Sequence, residues 1–456
     1  MALPRVLILN YFFPPIGGAA ALRGVTLLGR LPSLGYEPVV VTGPGDAFGR
    51  WNPEDPTLQR AIGDVEVHRI PGPEAPRPSG RRDRIDRWLA QPGAWQRWLG
   101  QGMVEVGRTV GPIDLIYADL GPDVTAHAGA QLARELDVPL VVDLGDPWAL
   151  DEMRVYPTLA HRIIDHAAMR RALTAADAVV MNTAEAATAV QEALKPLRER
   201  PVLALPVGYD AADFERPEPT RHDGAFRIVH TGSLHTALGL AHQRSERVRR
   251  LLGGGPDRPV DVLTRSPLYL RRAIDLVRER NPEVGARIEL HLAGPITDAD
   301  RAVLDGLSGV HLLGYCNHED TIDLVRSADL LFLPMQDLPG GHRARMVPCK
   351  GYEYLASGRP ILAAMPAGDG REIFRRAEGS TVVEPSDVAA MADVIEGEAA
   401  RTVRRPSVVA ERAGLLAGLE RGHLNRELAA TFDTVLSART TTTATAAESA
   451  LAGSTL

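Results

Sequence analysis

The sequence predicts an α/β protein built from two Rossmann-like, doubly wound parallel-sheet domains. Three observations lead there: a length beyond one core, short aliphatic runs alternating with helical stretches, and a polar break that divides the runs into two sets. The chain has 456 residues, whereas a single hydrophobic core stops growing at roughly 250–300 residues. Hydrophobic residues make up 45% and charged residues 24%, which excludes a disordered chain. No apolar run approaches the length of a membrane helix. A formal net charge of −7 argues against a nucleic-acid partner, because binding phosphate backbones requires clustered cations. The only cysteines are Cys316 and Cys349, too few for a disulfide framework or a zinc site, and they fit a reducing cytoplasm.

The first strand is expected at residues 6–9. An export signal is not, because Pro14-Pro15-Ile16-Gly17-Gly18 stands where a small-residue cleavage site would be needed. Further strands are predicted at 39–42, 65–70, 115–118, 140–143, 178–182 and 202–205. The helical stretches between them are the rhythm of a wound parallel sheet. The polar stretch 215–224 closes this set, so the domains divide as 1–207, a linker at 208–225, and 226–405. The second set runs 227–230, 287–292, 310–313, 330–333, 361–364 and 381–383. Ligands of such sheets sit at the carboxyl ends of the strands, so the active site is expected to be shared across an inter-domain cleft. Residues 406–437 read as helices that return to the N-terminal domain, and the Thr- and Ala-biased residues 438–456 as a disordered tail. In 77–102, Arg81, Arg82, Arg84 and Arg87 lie beside Trp88, Trp95 and Trp98. That mixture fits either a weak membrane-surface contact or inward-packed tryptophans.

Several strand ends carry groups suited to chemistry. Tyr11-Phe-Phe-Pro-Pro-Ile-Gly-Gly-Ala-Ala20 follows the first strand and precedes a helix. Its Gly17 and Gly18 let backbone N–H groups approach a phosphate at a helix N-terminus, or simply make a tight turn. The Gly-x-Gly-x-x-Gly spacing of a dinucleotide site is absent. Asp143-Leu-Gly-Asp-Pro-Trp148 places Asp143 and Asp146 at a strand's carboxyl end, where they either bind acceptor hydroxyls or cap a helix. In Phe226-Arg-Ile-Val-His-Thr-Gly-Ser-Leu234, Gly232 and Ser233 offer backbone and hydroxyl donors after the strand. Val347-Pro-Cys-Lys-Gly-Tyr-Glu-Tyr-Leu-Ala-Ser-Gly-Arg-Pro360 sets Lys350 and Glu353 three residues apart.

Together these segments resemble family-4-type (group 1) glycosyltransferases of the GT-B fold, over nearly all of residues 1–400. Leu205-Pro-Val-Gly-Tyr-Asp-Ala-Ala-Asp-Phe214 is similar to the segment that leads into the linker of these enzymes. The resemblance implies a retaining transferase that uses a nucleotide-diphosphate sugar and no other cofactor. It implies that Glu353 accepts hydrogen bonds from both ribose hydroxyls, that Gly17, Gly18, Gly232 and Ser233 lie near the diphosphate, and that the loop at Tyr315 and Cys316 holds the base. Arg265, in Arg265-Ser-Pro267, is the expected clamp on the leaving diphosphate with Lys350, and Arg244, Arg247 and His235 compete for that role. Residues 236–262 look like an insertion. No metal is implied, since the donor half lacks Asp-x-Asp. Three positions depart from the family: Gly145 replaces a cation, Val207 stands where Asn is common, and Arg345 stands where the first Glu of a Glu-x7-Glu pair belongs. Gly145 and Arg345 leave open a GT-B pseudoglycosyltransferase joining the sugar to an amine or thiol, a nucleotide-sugar epimerase, and a non-catalytic nucleotide-sugar-binding partner.

Overall fold

A computed structural model describes residues 2–45, 53–74, 92–217, 219, 221, 223–401 and 406–453. All thirteen predicted strands form, within a residue or two of their expected bounds. The first sheet holds β1 (Arg5–Leu9), β2 (Glu37–Thr42), β3 (Glu66–Arg69), β4 (Leu115–Leu120), β5 (Leu140–Leu144), β6 (Ala178–Met181) and β7 (Val202–Ala204). Their order is β3-β2-β1-β4-β5-β6-β7, and every pairing is parallel. The second sheet holds β8 (Phe226–Thr231), β9 (Ile288–Ala293), β10 (Val310–Gly314), β11 (Leu330–Pro334), β12 (Ile361–Ala364) and β13 (Ser380–Val383). It is parallel throughout, in the order β10-β9-β8-β11-β12-β13. Central strands such as β5 and β11 are buried at every residue. They therefore read as continuous aliphatic runs and not as alternating ones. In each sheet the strand order reverses at one place, between β1 and β4 and between β8 and β11. A reversal splays the flanking loops apart and opens a crevice at the carboxyl ends.

The compact units do not follow simple cuts of the sequence. One comprises Met1–Trp148, Ile164–Leu205 and Gly422–Leu456, and the other Ala149–Ile163 and Pro206–Arg421. Residues 149–163 thus leave the expected N-terminal domain, because Tyr156 pairs with Gly255 through two backbone hydrogen bonds and Arg162 meets Asp257 at 3.0 Å. The last helix, Arg421–Gly453, runs past the expected start of a disordered tail at 438. Its final turns are rich in alanine, whose high helix propensity favours continued backbone hydrogen bonding. Earlier along this helix, Leu424, Leu428, Phe432 and Val435 form one stripe buried in the first unit's core. The Phe432 ring packs edge-on to Tyr36 and Tyr117, with centroids 5.5 and 5.7 Å apart.

Of the Arg- and Trp-rich stretch, residues 77–91 lie outside the described residues. Trp95 and Trp98 fall on the helix Ala94–Gly107 and are half-buried. Trp95 donates from Nε1 to Glu74 at 2.6 Å and meets the Tyr11 ring edge-on at 5.2 Å, an inward-packed arrangement. No helix among the described residues is long and apolar enough to cross a membrane.

One buried polar network interrupts the first unit's apolar core. Arg23 Nη2 lies 2.7 Å from Asp143 Oδ2, and Tyr117 donates its hydroxyl to the same oxygen. Burial pushes the Asp143 carboxyl upward, and the Arg23 cation opposes that shift. Burial likewise works against the Arg23 charge, but Asp143 and Tyr117 outweigh it and raise its pKa. Removing one partner strands the other charge in the core. Asp143→Ala is therefore expected to destabilise the protein by about 3–5 kcal/mol, whereas the exposed Asp146→Ala should change stability by less than about 0.5 kcal/mol. Urea unfolding of the two variants tests this. Equal midpoints would show that the pair is not a keystone.

Candidate active site

In the second unit, five of the expected residues converge at the β8/β11 crevice. The turn after β8 carries Gly232 at φ 93°, a left-handed conformation that glycine adopts without strain. Space matters as much as conformation there. A Cβ on Gly232 would stand 2.7 Å from Lys350 Nζ and 2.9 Å from its Cε, so the glycine leaves room for the lysine. The Gly232 amide is already spent on Ala293 O at 2.7 Å. Beside it, Ser233 is half-buried, and its hydroxyl has no partner among the described residues.

Lys350 begins the helix Lys350–Ala356, and Glu353 follows one turn later on the same helix. Lys350 Nζ lies 3.4 Å from Nε2 of His230, a buried residue of β8 whose Nδ1 faces Phe332 O at 2.9 Å. Burial, reinforced by the Arg265 cation, pushes the Lys350 pKa down to about 7. Burial and the nearby Lys350 charge hold His230 well below the ordinary imidazole range, so it is neutral. Arg265 follows the short 3-10 turn Val262–Thr264, and its Nη1 approaches the sulfurs of Met153 and Met346 at 3.6 and 3.8 Å. Two cations and a neutral imidazole thus share a small volume, an arrangement an anion would stabilise. Lowered amine pKa values in such a crevice mark a functional site with a physical cause.

Glu353 is only 7% exposed, yet its carboxylate accepts no hydrogen bond from the described residues. Capping does not account for it: the helix N-cap is Cys349 and has no side-chain cap. A buried carboxylate normally requires donors, so this one is open to water or to a hydrogen-bonding ligand. The loop after β10 approaches Glu353 electrostatically. His318 opens the next helix and bonds Asp213 at 2.8 Å. Burial disfavours the His318 cation, but the Asp213 bond and the Glu353 charge outweigh it and raise its pKa. Tyr315 is 38% exposed, whereas Cys316 is half-buried, with Sγ 3.9 Å from Gly314 O, and burial raises its thiol pKa.

Arg345 is held by its own surroundings. Its Nη1 donates to Leu150 O at 2.7 Å, and its backbone N–H reaches Glu152 Oε1 at 3.3 Å. Glu152 also accepts from Gln336 Nε2 at 3.0 Å, and burial raises its pKa against those bonds. A buried carboxylate therefore sits beside the position where the expected first Glu is replaced. His230, Glu152 and Gln336 went unremarked in the sequence. Only His230 left a trace there, as a polar residue inside an aliphatic strand.

In the first unit the expected residues separate. The Gly17 N–H is bonded to Pro53 O at 2.8 Å, while Gly18, at φ 91°, is the N-cap of the helix Ala19–Arg30. Asp143 is fully enclosed in its pair with Arg23, which corrects the expectation that it meets an acceptor: neither oxygen is accessible. Asp146 is exposed just beyond β5. At Gly145 an added Cβ would meet nothing within 4 Å, so packing does not impose the glycine that replaces a cation. Asp119, at the carboxyl end of β4, accepts from Asn10 Nδ2 at 3.0 Å. Burial and repulsion from Asp143 raise its pKa against the pull of Arg23, a perturbation the sequence pattern does not reveal.

Comparison with known proteins matches both units to one family. Residues 17–208 match the glycosyl transferase 4-like domain, and residues 264–397 match glycosyl transferases group 1. Residues 209–263 fall outside both matches and include the helix Thr236–Leu251 of the expected insertion. No curated protein matches the chain by sequence. Among solved structures, Anabaena HepE in complex with UDP and glucose is similar at a TM-score of 0.61 and 16% identity, over 94% of this chain and 100% of that one. An Escherichia coli trehalose-6-phosphate protein bound to UDP-2-fluoro glucose gives 0.60 and 13%, over 95% and 99%. A putative UDP-N-acetylglucosamine 2-epimerase from Listeria monocytogenes gives 0.53 and 13%, over 95% and 96%. At such identities these likenesses establish the fold. With the two family matches covering well over half of the sequence, the chain belongs to the group 1, family-4-like glycosyltransferases and is an enzyme of the GT-B fold.

Proposed function

We propose that the protein transfers a glycosyl group, with retention of configuration, from a nucleoside-diphosphate sugar to an acceptor hydroxyl on a small molecule or glycan. The observation that carries this reading is the unpartnered Glu353 carboxylate one helical turn from the depressed Lys350 amine, with Arg265 alongside. A carboxylate accepts from both ribose hydroxyls at once. Lys350 and Arg265 meet the diphosphate, whose charge grows as the glycosidic bond breaks, so the protein itself supplies the stabilisation. No metal ion is required for that step. The exposed Tyr315 ring stacks on the base while the backbone beside Cys316 holds its edge. Ser233 donates to a phosphate oxygen. Asp146, the exposed carboxylate of its strand end, binds an acceptor hydroxyl. The bound diphosphate assists front-face attack by taking the acceptor proton. Support comes from the family match and from the UDP and UDP-sugar analogue bound by the two similar structures.

Arg345 favours a second reading, in which the same donor is epimerised or joined to an amine or thiol, because it stands in place of the donor-sugar carboxylate. Incubation with a panel of nucleotide sugars separates the readings. Free nucleotide that appears only when an acceptor is added supports transfer, and isomerised donor without nucleotide release supports epimerisation. Neither product would leave a non-catalytic binder.

Two outcomes follow from the site. Glu353→Ala should lose both ribose contacts, each worth about 1.5–3 kcal/mol, so calorimetry should show donor affinity lower by about two to four orders of magnitude. Unchanged affinity would remove Glu353 from the site. The Lys350 amine supplies the second test. With a free-state pKa of about 7, raised once a diphosphate is bound, affinity should be flat below that pH. Above it, binding must take up a proton and affinity should fall about tenfold per pH unit. A flat wild-type profile between pH 7 and 9, or the same fall in affinity in Lys350→Met, would show that Lys350 does not meet the anion.

A further inference from the structure

Strands β9 and β10 bring together three residues that take no part in the site above. Parallel pairing sets His311 directly opposite His291, and Glu289 lies two residues before His291, on the same face. Glu289 Oε2 is 3.0 Å from His291 Nε2 and 3.8 Å from His311 Nε2. One ligand atom from each of the three residues falls within 4.8 Å of the others. We propose that Glu289, His291 and His311 form a binding site for a divalent transition metal of the zinc class at the β9–β10 edge of the second sheet.

The donor set and spacing fit that ion. Two imidazole nitrogens and one carboxylate oxygen are borderline-hard donors that suit zinc, nickel or copper, and calcium or magnesium poorly. Bonds of about 2.0–2.2 Å at a tetrahedral centre place ligand atoms about 3.3 Å apart, so the two separations bracket what is needed. The imidazole rings lie 4.3 Å apart at an interplanar angle of 22° and must tilt so that both lone pairs converge. His311 is exposed and has room to do so. The neighbouring Arg227 of β8 opposes a cation, but Asp223 and Ser327 hold its guanidinium at 3.2 and 3.3 Å. Water completes the coordination shell. The cysteine count that argued against zinc concerns thiolate sites, whereas these ligands become neighbours only through strand pairing.

The effect would be mechanical. β10 is an edge strand paired only to β9, and a bound ion would tie the two across their side chains. Glu289 and His291 occupy the first part of β9, while the loop bearing Tyr315 follows the far end of β10. The test titrates the full-length protein, stripped with EDTA, with zinc sulfate by calorimetry at pH 7.5. One site is expected, together with a rise in the thermal unfolding midpoint. His311→Ala and the shape-conserving Glu289→Gln should each weaken that site by about tenfold or more and abolish the thermal shift. His423→Ala, which removes a half-buried histidine paired with Glu427 at 3.2 Å, should leave both unchanged. Circular dichroism shows whether each variant is folded. Binding that survives in the first two variants, or is lost only in His423→Ala, overturns the proposal. So does wild-type binding no tighter than millimolar.

Discussion

A parallel sheet buried on both faces leaves almost no room for chemistry along its strands, and that constraint governs the placement of polar groups in this protein. β5, β6, β11 and β12 are buried at every position. A polar side chain there needs a partner of its own, as Asp143 has in Arg23 and Tyr117. His230 is the corresponding case in the second sheet: it is kept neutral and bonded to a backbone carbonyl. Side chains that meet a ligand are consequently pushed to the carboxyl ends, above all where the strand order reverses. Gly232, Lys350 and Glu353 occupy such a position, and the helix that carries the last two follows the strand next to β8.

The electrostatics of that position are those of an unfinished pair. Lys350 lies beside Arg265 and a neutral histidine, and burial together with the Arg265 charge depresses its pKa. Three residues further on, Glu353 lacks the complementary donors. A nucleoside diphosphate offers both complements in one molecule, hydroxyls at the ribose and charge at the phosphates. Separate small ions would satisfy only half of the arrangement. This pairing of deficits distinguishes the crevice from an ordinary surface cluster, in which solvent meets each charge independently.

Strands were legible because burial on two faces writes an unbroken aliphatic run, and a period is not needed to see it. Lys350, Glu353 and Gly232 were legible because they occur in short segments where a strand end, a turn and a helix start are fixed locally. Asp143 was placed on the right strand and misread in role. A carboxylate at a strand end looks the same in sequence whether it faces a ligand or a buried arginine 120 residues away. Glu152 and Gln336 stand outside the quoted motifs and meet through a tertiary contact that leaves no local pattern. The helix through the final Thr- and Ala-rich segment shows the opposite failure: a composition that promises no core still permits a helix.

The first unit draws its core from both ends of the chain. Leu424, Leu428 and Phe432 complete the packing around β1 and Tyr36, nearly 400 residues before them in sequence. During synthesis, then, the N-terminal sheet emerges early with part of its apolar surface uncovered, and the second unit is made before the covering helix leaves the ribosome. The first unit's core is therefore complete only after the whole of the second unit has been synthesised.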